Sequence, residues 1–341
     1  MTVTGPVDAE SLGVTLSHEH ILIDIRNQFR ESDDAKKARL GCQDVSMSHL
    51  GLLRRNPYAL KDNLILDDVR LAVEELAYFK AAGGGTVIDC TPVGAGRDAK
   101  RIHAIAEQSG LNIIVGCGYY TNDTHPPELA DKSVEEIADE MISDLAVGID
   151  DTEIKAGMVG EIGTSDPVTK REMKVVRAAA MASRRCTAPV NIHTYPWCSS
   201  GLEIVESMVE LGTDPKKIVI CHTDVDPDVT YIRSLFTTGV FVEFDNFGKE
   251  FYINKIDRRF AGGIFATDLE RVRLIKRILG WGYESQILIT NDICLKSMLH
   301  AFGGWGYDHI ITNVVPMMMD EGIPREAINR ILVDNPARLF D

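Results

Sequence analysis

Eight short runs rich in β-branched and apolar residues, each coupled to an amphipathic stretch, constrain this chain more than any other feature. The runs are 13–17, 85–90 (GTVIDC), 112–117 (NIIVGC), 157–161 (GMVGE), 189–193 (PVNIH), 218–222 (IVICH), 240–244 (VFVEF) and 286–290 (QILIT). Helical periodicity covers 67–82, 98–109, 133–147, 169–185, 202–211, 228–238, 268–279 and 325–334. Several of these stretches open on a capping residue, and Ser133 with Glu136 forms a capping-box pattern. Strand runs that are apolar throughout, rather than alternating, belong to a parallel sheet covered by helices. Eight such units close naturally into an α/β fold of the (β/α)8 TIM-barrel type. A length of 341 residues suits one barrel domain, 1–341, with insertions. An open doubly wound sheet is the alternative, but no GxGxxG follows the first run to support it.

Smaller features fit the same frame. Gly83-Gly84-Gly85 precedes a strand instead of following one, so it reads as a helix C-cap and not as a phosphate loop. The methionine-rich VVPMMMDEG at 314–322 reads as core helix. Two segments, 24–66 and 247–267, are too long for simple connections. They follow strands 1 and 7 and so belong to the face where barrel enzymes keep their sites.

Charge and composition narrow the partners. A net charge of −15 argues against nucleic acid and anionic membrane surfaces, and no apolar run reaches the roughly 18 residues of a membrane span. The opening MTVTGPVDAESLG lacks the basic and apolar regions of a signal peptide. Seven scattered cysteines with no CxxC pair read as reduced core residues of a cytoplasmic protein. The expected partner is a small-molecule substrate, and a homodimer is compatible with the chain.

The strand ends carry the chemistry. His18 and His20 lie two apart, so on a strand they share a face, while Glu19 between them points away. Strand 4 ends in Glu161, strand 5 in His193, strand 6 in His222 and strand 8 in Asp292. Six competent ligands at the same relative position of five strands, all at the catalytic face of a barrel, point to a metal site. Asp245, after strand 7, also points toward it.

With these motifs in hand, the chain resembles the phosphotriesterase branch of the amidohydrolase superfamily, within it the phosphotriesterase-related proteins. The resemblance runs along the whole chain through GPVDAESLGVTLSHEH, GGGTVID, GCGYY, GEIGTS, NIHTYP, CHTD, ITND, GYDHIITNVVP and NPARLF. It implies a (β/α)8 barrel with two divalent metal ions, zinc foremost, with manganese or iron also suited to such ligands. His18, His20 and Asp292 would hold one ion and His193 and His222 the other. Glu161 would bridge them in place of the carboxylated lysine that many relatives use. Lys155, the nearby lysine, precedes strand 4 and belongs to the opposite face.

On this reading a metal-bound hydroxide attacks, and Asp292 is the catalytic residue that moves its proton to the leaving group. Asp224 takes a supporting role or serves as a helix N-terminal acid. Tyr119, Tyr120, Tyr195 and Trp197 line the pocket mouth or pack its rim. In the segment 249–259, KEFYINKIDRR, four bases stand against two acids. Arg258 and Arg259 there would grip an anionic group remote from the scissile bond. The expected activity is cleavage of a carboxylic ester, lactone or amide. The alternatives are phosphotriester hydrolysis and a non-catalytic binding protein on the same barrel, and a full set of competent ligands argues against the latter.

Overall fold

A computed structural model of the chain describes residues 1–253 and 263–341. β1 (Val14–Glu19) pairs in parallel with β2 (Gly84–Asp89), and six more strands follow in chain order: β3 (Asn112–Cys117), β4 (Met158–Gly163), β5 (Val190–His193), β6 (Ile218–Ile220), β7 (Phe241–Phe244) and β8 (Ile287–Ile289). Together they make a nearly closed (β/α)8 TIM barrel, as the apolar rhythm of the sequence required. Successive residues part company across the sheet. Val87 and Ile113 join the large core under the helices, whereas Ile88 and Ile114 join a small cluster with Leu12, Cys90 and Met158 inside the barrel. Leu339 and Phe340, near the C-terminus, extend the interior packing with Val219, Phe241 and Leu288.

The outer layer comprises α1 (Val69–Ala81), α2 (Ala99–Ser109), α3 (Val134–Ala146), α4 (Lys170–Cys186), α5 (Gly201–Glu210), α6 (Val229–Thr238) and α7 (Asp268–Leu279). Their starts are fixed by side chains that satisfy the first free N–H groups. Asp68, Asp98 and Asp228 cap α1, α2 and α6, and full capping boxes open α3 (Ser133/Glu136), α4 (Thr169/Glu172) and α7 (Thr267/Glu270). None of the described helices is long and apolar enough to cross a membrane.

Several boundaries differ from the sequence reading. β1 runs on to Glu19, and the last helical stretch continues past 334 as Asn335–Phe340. Of the three glycines at 83–85, only Gly83 has the left-handed φ of a helix terminus (101°); the other two open β2. The methionine run is helical over Val315–Asp320, but only Met318 is fully buried and Met319 is half-exposed. Cys42 and Cys186 are exposed and so are not core residues. The segment 24–66 is tied at its base, where Ile23–Asp24 and Ile65–Leu66 form a short antiparallel ladder.

The seam between β8 and β1 is closed by side chains and strand ends. The Asp292 N–H donates to the His18 carbonyl (3.2 Å) and the His20 N–H to that of Ile293 (3.2 Å). The Glu19 carboxylate, aimed away from the barrel mouth, accepts from the Asn291 and Ile293 N–H groups at 2.9 and 2.7 Å and from the Thr290 hydroxyl at 2.5 Å.

Candidate metal centre

Two irregularities of the sheet aim the first ligands. Relative to β2, β1 carries one extra residue between Leu16 and Glu19; relative to β5, β4 carries one between Val159 and Ile162. Such bulges re-aim side chains beside functional sites. They fall on His18 and on Glu161. Gly160 makes the second possible: its φ is 122°, and a Cβ there would lie 2.5 Å from the Asn191 carbonyl. His222 and Asp292 sit just past their strands with φ of 59° and 49°, a left-handed conformation that costs about 1–3 kcal/mol and clusters at functional sites.

These devices converge four imidazoles and two carboxylates on one point. Glu161 Oε2 lies 2.9 Å from His193 Nδ1 and 3.4 Å from both His222 Nε2 and His18 Nε2. Its other oxygen is 3.9 Å from His20 Nε2, which is in turn 3.2 Å from Asp292 Oδ1. His18, His20 and Asp292 present ligand atoms within 4.8 Å of one another, as do His18, Glu161 and His222. All six residues are buried.

Behind the cage, hydrogen bonds select the tautomers. The Thr91 hydroxyl donates to the Leu22 carbonyl, so its oxygen accepts from His20 Nδ1–H at 2.9 Å. Glu243 accepts from His18 Nδ1 at 3.2 Å and Asp245 from His222 Nδ1 at 3.0 Å. Each ring thus turns its Nε2 toward the centre, the nitrogen that binds a cation once it has lost its proton. His18 Nε2 is buried without a hydrogen-bond partner among the described residues. An orphaned nitrogen among carboxylates fits a divalent metal and little else.

The electrostatics agree. Burial would raise the Glu161 carboxyl, yet His18 and His193 hold it well below the usual carboxylate range. Burial would lower His222, but the Asp245 carboxylate pushes it up to about 10. Burial would raise Asp292 as well, and the Lys249 ammonium and His20 keep it ionised.

The cage forms the floor of a cleft of about 930 Å³, open solvent included, walled by Ile23, Ile25, Tyr58, Phe251, Ile253, Phe265 and Leu295. Tyr120 lines it, with its hydroxyl 3.3 Å from His193 Nδ1. Tyr119 does not: its hydroxyl donates to Glu140 of α3 (2.7 Å), because adjacent residues leave a strand end in opposite directions. Tyr195 packs against Trp197 (5.8 Å between rings), and Pro196 between them reaches the cleft. Among the described residues Asp224 hydrogen-bonds no cage residue; it accepts from the Asn246 side chain (3.0 Å) and pairs with buried Arg271 (2.8 Å), while Asn246 also donates to Asp245. Its support therefore passes through Asp245, and α6 is capped by Asp228 instead. Lys155 precedes β4, away from the mouth. Arg258 and Arg259 lie outside the described residues.

Sequence reasoning missed three residues. Glu243 and Thr91 were unremarkable strand-end polar residues. Lys249, read as part of a basic loop, is buried and its ammonium contacts Asp292 Oδ2. A turn closed by the Asn246 carbonyl, with Gly248 at φ 82°, was the available signal.

Fold and cage together define a hydrolase barrel with a buried histidine–carboxylate cluster at the C-terminal mouth that could hold metal. The chain belongs to the phosphotriesterase family, whose profile matches residues 1–340. It is 35% identical over 338 residues to an N-acetyltaurine hydrolase of Xenopus tropicalis, covering 98% of this chain and 95% of that one. Among solved structures it resembles a resiniferatoxin-binding protein from Rhodobacter sphaeroides, with 33% identity, a TM-score of 0.96, and 100% and 94% of the two chains covered. It also resembles the lactonase Lmo2620 from Listeria monocytogenes, with 25% identity, a TM-score of 0.79, and 100% and 98% covered. Members of this family generally bind divalent metal.

Proposed function

We propose that the cage holds two divalent cations, zinc foremost, and that the enzyme cleaves the amide bond of a small N-acyl compound, with esters and lactones as further substrates. His18, His20 and Asp292 would hold one ion and His193 and His222 the other, with Glu161 available to both. Ions bound there supply Lewis acidity and bring a water's pKa toward neutrality. The observation that carries the reading is the convergence of His18, His20 and His222 Nε2 and His193 Nδ1 on one buried carboxylate. The amide preference is supported by full-length likeness to proteins named N-acetyltaurine hydrolase.

The protein's own groups divide the work. Asp292, held ionised, takes a proton from the attacking water and passes it to the leaving nitrogen as the C–N bond breaks. Burial pushes the Tyr120 phenol well above its usual range, so it stays a neutral donor at the cleft floor. The apolar walls receive the acyl group and exclude water. The test is a panel of N-acyl amino acids, N-acetyltaurine, lactones, esters and paraoxon-like triesters offered to zinc-loaded protein. Turnover of amides above the other classes is expected; turnover of triesters alone would overturn the reading.

A further inference from the structure

Lys249 has no part in the cage, yet it reaches the cage's edge. It follows β7 by five residues and is 5% exposed. Its ammonium meets Asp292 Oδ2 on the side away from His20, which faces Oδ1. Among the described residues, Lys249 is the one lysine or arginine that lines the cleft. Its ammonium has three donors, and Asp292 is its one hydrogen-bond partner among those residues. Asp292 also shares its charge with His20 and, in the holoenzyme, with a cation, so it compensates Lys249 only in part. A buried ammonium with spare donors facing a substrate cleft is completed by an anion.

The position of Lys249 says which part of the substrate bears that anion. On the amide reading above, which this inference needs, Asp292 delivers the proton to the leaving nitrogen. The group that touches Asp292 from the cleft side therefore lies beside the leaving amine and not beside the acyl group. We infer that Lys249 is a specificity-determining residue that selects N-acyl amines whose leaving amine carries a carboxylate or sulfonate a few bonds from the scissile nitrogen. The anion is read next to the reacting bond, whereas the paired arginines of the loop sequence suggested a remote grip.

The experiment compares N-acetyltaurine with its neutral methyl sulfone isostere, and N-acetyl-β-alanine with its primary amide, in zinc-loaded wild type, K249M and K249R. The readout is the ratio of kcat/KM, charged over neutral. K249M is expected to lower that ratio roughly tenfold or more, the loss of one charge-assisted hydrogen bond, with K249R restoring most of it. The two pairs show whether sulfonate or carboxylate is preferred. Equal losses on charged and neutral amides overturn the inference and leave the amide reading standing. So does an arginine double variant, R258A/R259A, that abolishes the ratio while K249M preserves it. Where wild type cleaves no amide, calorimetry with taurine decides. Binding at least tenfold tighter to wild type than to K249M then shows only that Lys249 contacts an anion, and the inference about the leaving amine falls with the amide reading; equal or absent binding overturns the anion contact as well.

Discussion

The Asp245 carboxylate grips His222 twice, with Oδ1 3.0 Å from Nδ1 of the ring and Oδ2 accepting the backbone N–H at 3.0 Å. That grip fixes both the tautomer and the left-handed backbone on which the ring is mounted. Asp245→Asn keeps the shape but presents an amide that can donate to Nδ1, favouring the wrong tautomer. Metal affinity should fall about 10–100-fold, the usual cost of such a partner's loss, as measured by competition with a chromogenic chelator. Unchanged affinity would show that the cage does not depend on Asp245.

Metal binding should release protons. In the metal-free protein His222 titrates at about 10, so at neutral pH its Nε2 carries a proton that a cation must displace. Affinity therefore falls as pH falls. Zinc titrations in buffers of different ionisation enthalpy should show release of at least one proton per chain near pH 7.5, since His18 is raised as well as His222, with two metal equivalents bound. The stability sign follows from the raised pKa. For the metal-free protein this group's contribution is complete below about 6.5, its ordinary value, and is lost as pH rises through about 10. Its Tm should drop across that window, and the metal-loaded protein should not share the drop.

On the proposed function, Asp292→Asn removes the group that moves the proton but leaves a side-chain oxygen facing His20. Turnover should fall roughly 10²–10⁴-fold while most of the metal is retained, as checked by elemental analysis alongside steady-state rates. Wild-type turnover in the variant would assign the proton transfer elsewhere.

No lysine of the site should carry a carbamate. Glu161 occupies the central place between the imidazoles, and Lys249, paired with Asp292, stays an ammonium that cannot take up carbon dioxide. Carbon-13 NMR of protein incubated with labelled bicarbonate should show no carbamate carbon, and activity should not respond to bicarbonate. A carbamate signal on the metal-loaded protein would refute Glu161 as the central ligand.

The seam residue Glu19 offers a stability test remote from chemistry. Glu19→Gln turns one oxygen, the acceptor of the Ile293 N–H, into a donor facing a donor. A buried donor left unsatisfied costs about 1–3 kcal/mol, so Tm should fall by several degrees in thermal melts of the metal-loaded protein. An unchanged Tm would mean that the seam holds without this carboxylate.

The convergence of the six side chains was legible because a parallel barrel puts the last residue of every strand on one face, so His193 and Asp292 could be aligned from the sequence. The bulges beneath His18 and Glu161 were not, since two residues facing one is a property of paired strands, not of either alone. Glu19 was given its direction but not its task, which depends on the N–H groups across the seam, a separation of more than 270 positions. Tyr119 and Tyr120 are neighbours of the same type, and only the register of β3 decides which one turns inward. Lys249 was hidden by its composition: a lysine among other bases defaults to solvent, and its burial depends on the turn at Gly248.

The partners that aim the imidazoles, Thr91, Glu243 and Asp245, stand on or directly after barrel strands, whereas Ile25, Tyr58, Phe251 and Lys249 reach the cleft from longer connections. The chain thus has two separately heritable parts. A lineage can exchange the connections, and with them the molecules it accepts, without rebuilding the histidine–carboxylate cage. Changes of diet should then arise by short insertions and single substitutions between strands, each one viable from the first step.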